Sequence, residues 1–288
     1  MELIPELKDS KVFIKDIKKV KSVIEQLASD GKDKLQVITD FDRTFTRCYF
    51  NGETCPSSYG IIDDSILLPS SYRAKATALR NHYYSIEISD DISLDEKYQH
   101  MVDWWNQAHA LLVEHHVMKH DIEEMVRQSK ALLRDGCQKL CQVLHTHDIP
   151  LLVFSAGVGD VLEEVIKQQG CYYDNVHIVS NYMDFNNEGK LIGFKGDIIH
   201  VFNKNESVIH HSDYFDKIEN RNNVILLGDS IGDLKMADGV ENMNQCLKIG
   251  FLNDKVESKL EDYKNKFDIV LVNDETMDVA NAIINKII

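Results

Sequence analysis

The sequence predicts an α/β fold in which a parallel β-sheet carries an inserted helical segment. Short runs rich in Val, Ile and Leu recur along the chain, and helical patterns lie between several of them. Residues 51–135 differ, because helical patterns dominate there and no convincing strand is present. Apolar strands that alternate with helices are typical of parallel sheets covered on both faces. Such sheets bind their ligands beyond the carboxyl ends of the strands.

The first predicted element is an amphipathic helix over residues 11–30. Its apolar stripe includes Val12, Phe13 and Ile17, and Gly31 is expected to end it. The apolar strand "LQVITDF" follows. Later helices and strands alternate: the helices are predicted over 159–169, 233–240 and 254–265, and the strands over 150–157, 176–181, 223–230, 246–252 and 267–272.

Residues 51–135 are predicted to form a helical cap, inserted between the first strand and the rest of the α/β pattern. Ser93 and Glu96, three residues apart, make a capping box that opens one of its helices. Residues 1–50 and 136–288 then form the α/β core. The sequence therefore predicts a core and a cap.

Composition argues against several classes of function. The chain has 288 residues and a formal net charge of −15, whereas nucleic-acid binding depends on clustered Lys and Arg. We find neither a signal-peptide pattern nor an apolar stretch long enough to span a membrane. The six cysteines lack the paired spacing of a zinc site, so reduced thiols are expected. We expect a cytoplasmic monomer with no nucleic-acid polymer and no membrane as partner.

The stretch "DFDRT" places two carboxylates at the end of the first strand. On an extended backbone residues i and i+2 point to the same side, so Asp40 and Asp42 can act on one substrate. A buried carboxylate pair needs a cation or a shared proton, and Mg²⁺ couples carboxylates to phosphate oxygens. One carboxylate could attack phosphorus while the other donates and accepts protons. The alternative is a strand end with two solvated acids.

Three further stretches favour the catalytic interpretation. "LLVFSAG" ends an apolar strand with Ser155, whose hydroxyl and following backbone amides can hold phosphate oxygens. "HVFNKN" supplies Lys204, an ammonium that can balance the charge of a phosphoryl group. "VILLGDSIGD" ends another strand with Asp229 and Asp233, which offer further oxygen ligands to a metal. Each has a structural explanation alone, but the four signals in this order indicate phosphoryl transfer.

In this order "DFDRT", "FSAG", "NK" and "GDSIGD" resemble the haloacid-dehalogenase-like phosphatases. Longer phrases, among them "EKYQHMVDWW" and "GFKGDIIHVFNKN", are similar to the cytosolic 5′-nucleotidase III family over nearly the whole chain. The resemblance implies a Rossmann-like parallel-sheet core of the haloacid-dehalogenase type with an inserted helical cap. It also implies Mg²⁺ as cofactor and a nucleoside 5′-monophosphate as substrate.

The resemblance further implies a role for each matched residue. Asp40 would be the nucleophile and Asp42 the general acid/base. Ser155, the Ala156 amide and Lys204 would bind the phosphate. The magnesium site would be built from four aspartates, with Asp42 contributing its carbonyl, Asp229 binding directly and Asp233 acting through water: Asp40, Asp42, Asp229 and Asp233.

Base recognition is implied to lie in the helical segment. Glu87 matches the family's base-binding glutamate, which suits cytosine or guanine donors equally. Trp104 and Trp105 resemble the branch of the family that favours 7-methylguanosine monophosphate, and Tyr59 would form the other side of a stacking sandwich. N7-methylation makes the purine cationic, and a cation over an indole face gains roughly 0.5–2 kcal/mol. Which of the two tryptophans stacks on the base stays open.

The expected function is a Mg²⁺-dependent 5′-nucleotidase that hydrolyses 7-methylguanosine 5′-monophosphate, and also CMP, through an aspartyl-phosphate. The nearest alternative is a pyrimidine 5′-nucleotidase that prefers CMP and UMP. A phosphatase of another small metabolite and a binding module without catalysis are further alternatives. Phosphotransfer to a nucleoside is an expected side activity, because an alcohol can intercept an aspartyl-phosphate.

Overall fold

The computed structural model describes residues 4–89, 91–200, 202–204, 218 and 220–288. Its strands are β1 (Val12–Phe13), β2 (Leu35–Thr39), β3 (Tyr49–Phe50), β4 (Glu53–Thr54), β5 (Leu151–Val158), β6 (Val176–Asn181), β7 (Met183–Phe185), β8 (Leu191–Phe194), β9 (Asn223–Gly228), β10 (Gln245–Leu252) and β11 (Ile269–Val272). Its α-helices are α1 (Ile17–Asp30), α2 (Ser58–Asp63), α3 (Ser70–Glu87), α4 (Leu94–Glu114), α5 (Asp121–Gln128), α6 (Cys137–Thr146), α7 (Gly159–Gln168), α8 (Val256–Lys266) and α9 (Asp278–Ile287).

The central sheet has the strand order β1-β11-β10-β9-β2-β5-β6. Its strands pair in parallel except for β1, which pairs antiparallel with β11 at one edge. β2 therefore lies between β9 and β5, and the carboxyl ends of these three strands lie side by side. This topology confirms the predicted α/β fold with a mostly parallel sheet.

The sheet is buried on both faces, which explains its continuous apolar strands. Consecutive residues of β2 belong to different hydrophobic clusters. Val37 shares a cluster with Leu27 of α1 and residues of α6 and α7, whereas Ile38 shares one with Met101 and Trp105 of α4. Helix α4 contributes to both clusters, with Leu111 and Leu112 in the first and Met101 and Trp105 in the second.

The N-terminal helix is shorter than its apolar stripe predicts. It begins at Ile17, because the Asp16 side chain accepts hydrogen bonds at 3.0 Å from two amides of the first turn. The preceding Val12–Phe13 is β1 instead, and it covers the edge of β11. The predicted helix over 11–30 is therefore wrong at its start, since two apolar residues fit either a helical stripe or a short edge strand.

Four helices, α2 to α5, occupy most of the segment between β4 and α6. The predicted division into a core and a cap stays a prediction. Within the described residues, no helix combines the length and apolar character that crossing a membrane would require.

Candidate active site

One cavity of about 460 Å³ lies at the carboxyl ends of β2, β5 and β9 and continues between α3 and α4. Its floor is formed by the strand ends and its walls by the helices. Every residue that the sequence predicts for the site lines it: Asp40, Asp42, Tyr59, Glu87, Trp104, Trp105, Ser155, Ala156, Lys204, Asp229 and Asp233.

The turn after β2 is held in an unusual conformation. Asp40 follows the last strand residue, and the chain then makes a turn, Phe41–Phe45, that the Thr46 amide closes by donating to the Phe41 carbonyl at 2.9 Å. Within it Arg43 has φ of 64°, in the left-handed region that residues other than glycine rarely adopt. The Arg43 carbonyl accepts hydrogen bonds from the buried Arg134 guanidinium and from the Asn253 amide at 3.0 Å. Sequence reasoning missed these two supporting residues.

Lys204 is the buried cation of the site. Its ammonium forms an ion pair with Asp40 and a second one, at 2.9 Å, with Asp233. Burial would lower the pKa of Lys204, but Asp233 and Asp40 outweigh it and the pKa is raised. Burial raises the pKa of Asp40 to about 7, against the opposing attraction of Lys204. The lysine is therefore charged, and it links the turn after β2 to the 3-10 helix after β9.

Asp229 and Asp233 follow β9 and complete a carboxylate cluster. Asp233 lies in a 3-10 helix, Ile231–Ala237, where the sequence predicted an α-helix over 233–240. One Asp233 oxygen accepts hydrogen bonds from the amide and hydroxyl of Ser230, both at 2.9 Å. A Cβ on Gly228 would lie 2.6 Å from the Asp233 Cβ, so glycine is required for this close approach.

The cluster has the character of a cation site. Ligand oxygens of Asp40, Asp229 and Asp233 lie within 4.8 Å of one another. Burial, reinforced by Asp40, raises the pKa of Asp229 well above its usual value. When ionised, the two buried carboxylates and the half-buried one of Asp229 carry more negative charge than one ammonium offsets, and an all-oxygen donor set is what Mg²⁺ prefers. These residues therefore fit a divalent cation.

The Asp42 carboxylate points away from that cluster and toward α2. Its Oδ1 accepts a hydrogen bond from the Ser58 amide, and its Oδ2 accepts one from the Ser58 hydroxyl, each at 2.8 Å. Burial raises the pKa of Asp42, and the two Ser58 hydrogen bonds oppose that rise. Sequence reasoning missed Ser58, which lies 16 residues further along the chain.

Ser155 and Ala156 lie in the carboxyl-terminal part of β5. The Ser155 hydroxyl is buried and accepts a hydrogen bond from the Gly157 amide at 3.0 Å. The pairing of β5 with β6 is irregular between Phe154 and Val158, which frees this stretch from a regular ladder. Both residues thus border the cavity beside the Asp40 strand end.

Glu87 is the last residue of α3 and is largely buried in the cavity wall. Burial raises the pKa of its carboxyl, while the charges of Arg43 and Lys97 oppose that rise. Arg43, in the turn after β2, therefore favours the negative charge of Glu87. The structure brings the predicted base-site carboxylate and the predicted nucleophile to one cavity.

The aromatic residues form one connected cluster on the cavity wall. The Trp105 indole N–H donates to the Ala156 carbonyl at 2.9 Å, and Trp104 stacks on Tyr83 with ring centroids 5.8 Å apart. Tyr59 meets Trp105 edge to face, at 5.9 Å and an interplanar angle of 82°. These two rings are not parallel, so the described conformation does not form the sandwich that the sequence predicted.

A second acid at the cavity wall was not anticipated. Asp63, at the end of α2, accepts a hydrogen bond from the Tyr72 hydroxyl at 2.7 Å. Burial raises the pKa of Asp63 to about 6, against that hydrogen bond and the charge of Arg80. No local motif distinguishes this aspartate from its neighbour Asp64 in the sequence.

Comparison with known proteins agrees with this geometry. A family model described as "Pyrimidine 5'-nucleotidase (UMPH-1)" matches residues 43–288. This chain belongs to that family. A human 7-methylguanosine phosphate-specific 5′-nucleotidase is 48% identical over 287 residues, which cover all of this chain and 96% of the relative.

Solved structures place the family on the haloacid-dehalogenase fold. The crystal structure of cytosolic 5′-nucleotidase IIIB bound to cytidine matches with a TM-score of 0.90 and 36% identity, over 99% of this chain and 95% of that one. A phospho-aspartyl intermediate analogue of phosphoserine phosphatase matches with a TM-score of 0.50 and 15% identity, over 86% and 97%, and shows the fold alone. The predicted family resemblance and fold class are thus confirmed, and the chain is a 5′-nucleotidase family member.

Proposed function

We propose that this chain is a Mg²⁺-dependent 5′-nucleotidase that hydrolyses 7-methylguanosine 5′-monophosphate, with CMP as a second substrate. The observation that carries the proposal is the single cavity that joins the Asp40–Lys204–Asp233 cluster to Glu87 and the tryptophan pair. A phosphate at the strand ends and a base at the helices would occupy its two parts. The human relative carries the name of the same substrate.

The catalytic steps follow from the positions of the carboxylates. Asp40 would attack phosphorus to give an aspartyl-phosphate, while Asp42 protonates the departing 5′-oxygen of the nucleoside. Asp42 would then take a proton from water, whose oxygen attacks the phosphorus and releases Asp40. Ser155, the Ala156 amide and Lys204 would hold the phosphate oxygens against their developing charge.

The metal would be held by the carboxylates of Asp40, Asp229 and Asp233, with the Asp42 carbonyl as a further ligand. When bound, Mg²⁺ supplies positive charge that offsets the nonbridging oxygens of the phosphoryl group. The clustered carboxylate oxygens and the raised pKa of Asp229 support this assignment.

Base recognition would combine one carboxylate with an indole. Glu87 would accept hydrogen bonds from the N1 and N2 donors of the guanine, and its charge favours a cationic base. Of the two tryptophans, Trp105 has its ring fixed by Ala156, whereas Trp104 already stacks on Tyr83. We therefore assign the stacking contact to Trp105. Tyr59 would have to rotate to complete a sandwich.

The pyrimidine-preferring activity is the second candidate. Two findings favour it: the family model is named for pyrimidine nucleotides, and the similar solved structure contains cytidine. The amine of cytosine can also donate to Glu87. We also propose a cytosolic location and a monomeric state. The similar solved protein is named a cytosolic 5′-nucleotidase, which supports the proposed location.

The test is phosphate release from 7-methyl-GMP, CMP, UMP, a set of sugar phosphates and phosphoserine, each with Mg²⁺ and with EDTA. We expect release led by 7-methyl-GMP, dependent on Mg²⁺ and abolished in Asp40→Asn. Release led by CMP and UMP would overturn the base assignment but keep the mechanism. Release from sugar phosphates or phosphoserine with none from nucleotides would overturn the nucleotidase assignment.

A further inference from the structure

Asp42 and Ser58 make a two-point contact between the turn after β2 and α2. Both oxygens of the Asp42 carboxylate are engaged, one by the Ser58 amide and one by the Ser58 hydroxyl, each at 2.8 Å. Ser58 is fully buried and Asp42 half-buried, so water can reach these bonds from the Asp42 side alone. A carboxylate held at both oxygens has one orientation, whereas a free aspartate side chain has several rotamers.

Ser58 also contacts the strand that carries Ser155. Its hydroxyl oxygen accepts a hydrogen bond from the Val158 amide at 3.4 Å, beyond the end of the predicted phosphate-binding stretch. A Cβ added to Gly157 would lie 2.1 Å from the Ser58 hydroxyl oxygen, so α2 fits here only against glycine. The first residue of α2 thus packs between the turn that carries Asp42 and the carboxyl end of β5.

We propose that Ser58 is a positioning residue that aims Asp42 at the 5′-oxygen of the leaving nucleoside. The inference rests on the proposed function and extends it to a residue outside the predicted catalytic set. Asp42 must protonate the leaving oxygen and later accept a proton from water, and both transfers need a fixed carboxylate within hydrogen-bond reach.

The position of Ser58 in the fold has a consequence for the reaction cycle. Ser58 belongs to α2, whose next residue, Tyr59, lines the base side of the cavity. Asp42 belongs to the turn after β2. The acid/base is therefore oriented only while α2 packs on the strand ends. The same short helix thus contacts both the acid/base and the proposed nucleoside site.

The test compares Ser58→Ala with Ser57→Ala in the full-length protein. Ser58→Ala removes one of the two hydrogen bonds to Asp42. Ser57→Ala removes the neighbouring hydroxyl, which accepts a hydrogen bond from the Gly60 amide at 3.2 Å and caps α2 without touching Asp42. Both changes weaken α2, but only the first acts on the acid/base. Thermal unfolding of both variants reports their folding.

We expect Ser58→Ala to lower kcat by about 10- to 100-fold, a fraction of the roughly 100- to 10,000-fold that general acid–base catalysis supplies, because the Ser58 amide still binds Asp42. Its KM should stay within threefold of the wild type, and Ser57→Ala should keep kcat within twofold. In an Asp42→Ala background, Ser58→Ala should have no further effect on kcat, because the carboxylate that Ser58 orients is absent. A purely structural role would lower kcat by the same factor in both backgrounds.

Three results would overturn the inference: an unchanged kcat in Ser58→Ala, an equal loss in Ser57→Ala, or equal losses with and without Asp42. The substrate is whichever 5′-nucleotide the wild type hydrolyses fastest. Absence of phosphate release by the wild type from every nucleotide overturns the proposed function, which distinguishes that failure from a failure of the Ser58 assignment.

Discussion

The indole N–H of Trp105 donates a hydrogen bond to the Ala156 carbonyl at 2.9 Å. This contact ties α4 to the end of β5, 51 residues further along the chain, and it is buried. A side chain proposed for base binding is therefore anchored on a residue proposed for phosphate binding. Both ends of the nucleotide would then be read by one connected set of side chains.

Replacing Trp105 with Tyr should reduce selectivity for the methylated purine. The smaller ring offers a weaker but not absent cation–π surface, so the loss is at most about 2 kcal/mol, which corresponds to a drop of up to roughly 30-fold. We expect the ratio of kcat/KM for 7-methyl-GMP over CMP to fall by that factor. Trp104→Tyr is the matched control, and a fall in that variant alone would reassign the stacking contact to Trp104.

Replacing Lys204 with Met should affect both activity and stability. The change leaves Asp40 and Asp233 buried without their ammonium partner. Breaking a buried ion network from one side costs about 3–5 kcal/mol, less where a carboxyl protonates instead. We expect at least a 100-fold loss of kcat and a lower unfolding temperature at pH 7, which Mg²⁺ partly restores. Unaltered unfolding without Mg²⁺ would contradict this charge balance.

Asp229→Asn should stabilise the metal-free protein and remove most of its stabilisation by Mg²⁺. Burial and the neighbouring Asp40 raise the pKa of Asp229, so its ionised form destabilises the metal-free protein. The amide removes that charge, and the variant should unfold at a higher temperature than the wild type in EDTA. Mg²⁺ at 10–100 times its Kd should stabilise the wild type by about 1.4–2.7 kcal/mol and the variant hardly at all. Calorimetry with and without Mg²⁺ measures both effects, and an equal Mg²⁺ shift would refute the ligand assignment.

Asp63 should make stability depend on pH. Its folded-state pKa of about 6 lies above the value of about 3.9 expected in the unfolded chain. The folded protein therefore holds the proton more tightly, and this residue's contribution to stability falls as pH rises from about 4 to about 6. Asp63→Asn keeps an acceptor for Tyr72 and should gain stability relative to the wild type across that window, by at most about 3 kcal/mol. Denaturant unfolding at pH 4 and pH 7 tests this, and a pH-independent difference would count against it.

The strands were predictable because each buried one is a short apolar run that ends at a polar residue. Asp40, Ser155 and Asp229 follow or end such runs, and parallel pairing places their strand ends side by side. The edge strand at Val12–Phe13 was missed because two residues carry no periodicity. The start of α1 depends instead on a cap, Asp16, that the stripe alone does not reveal.

The supporting residues could not be predicted, since they depend on distances that spacing does not give. Ser58 reaches Asp42 across 16 residues, and Arg134 reaches the Arg43 carbonyl across 91. Neither residue lies in a recognisable sequence motif, and its role is visible only once the fold places it beside the turn after β2. The angle between the Tyr59 and Trp105 rings is likewise a product of packing.

The most direct test compares kcat/KM for 7-methyl-GMP with that for unmodified GMP. The two nucleotides differ only in one methyl group and the positive charge that it creates, so their ratio isolates the Trp105 and Glu87 contacts. We predict a ratio of roughly 2 to 30 or higher in favour of 7-methyl-GMP, with both reactions dependent on Mg²⁺ and Asp40. A ratio of one or less would contradict recognition of a cationic base in this cavity.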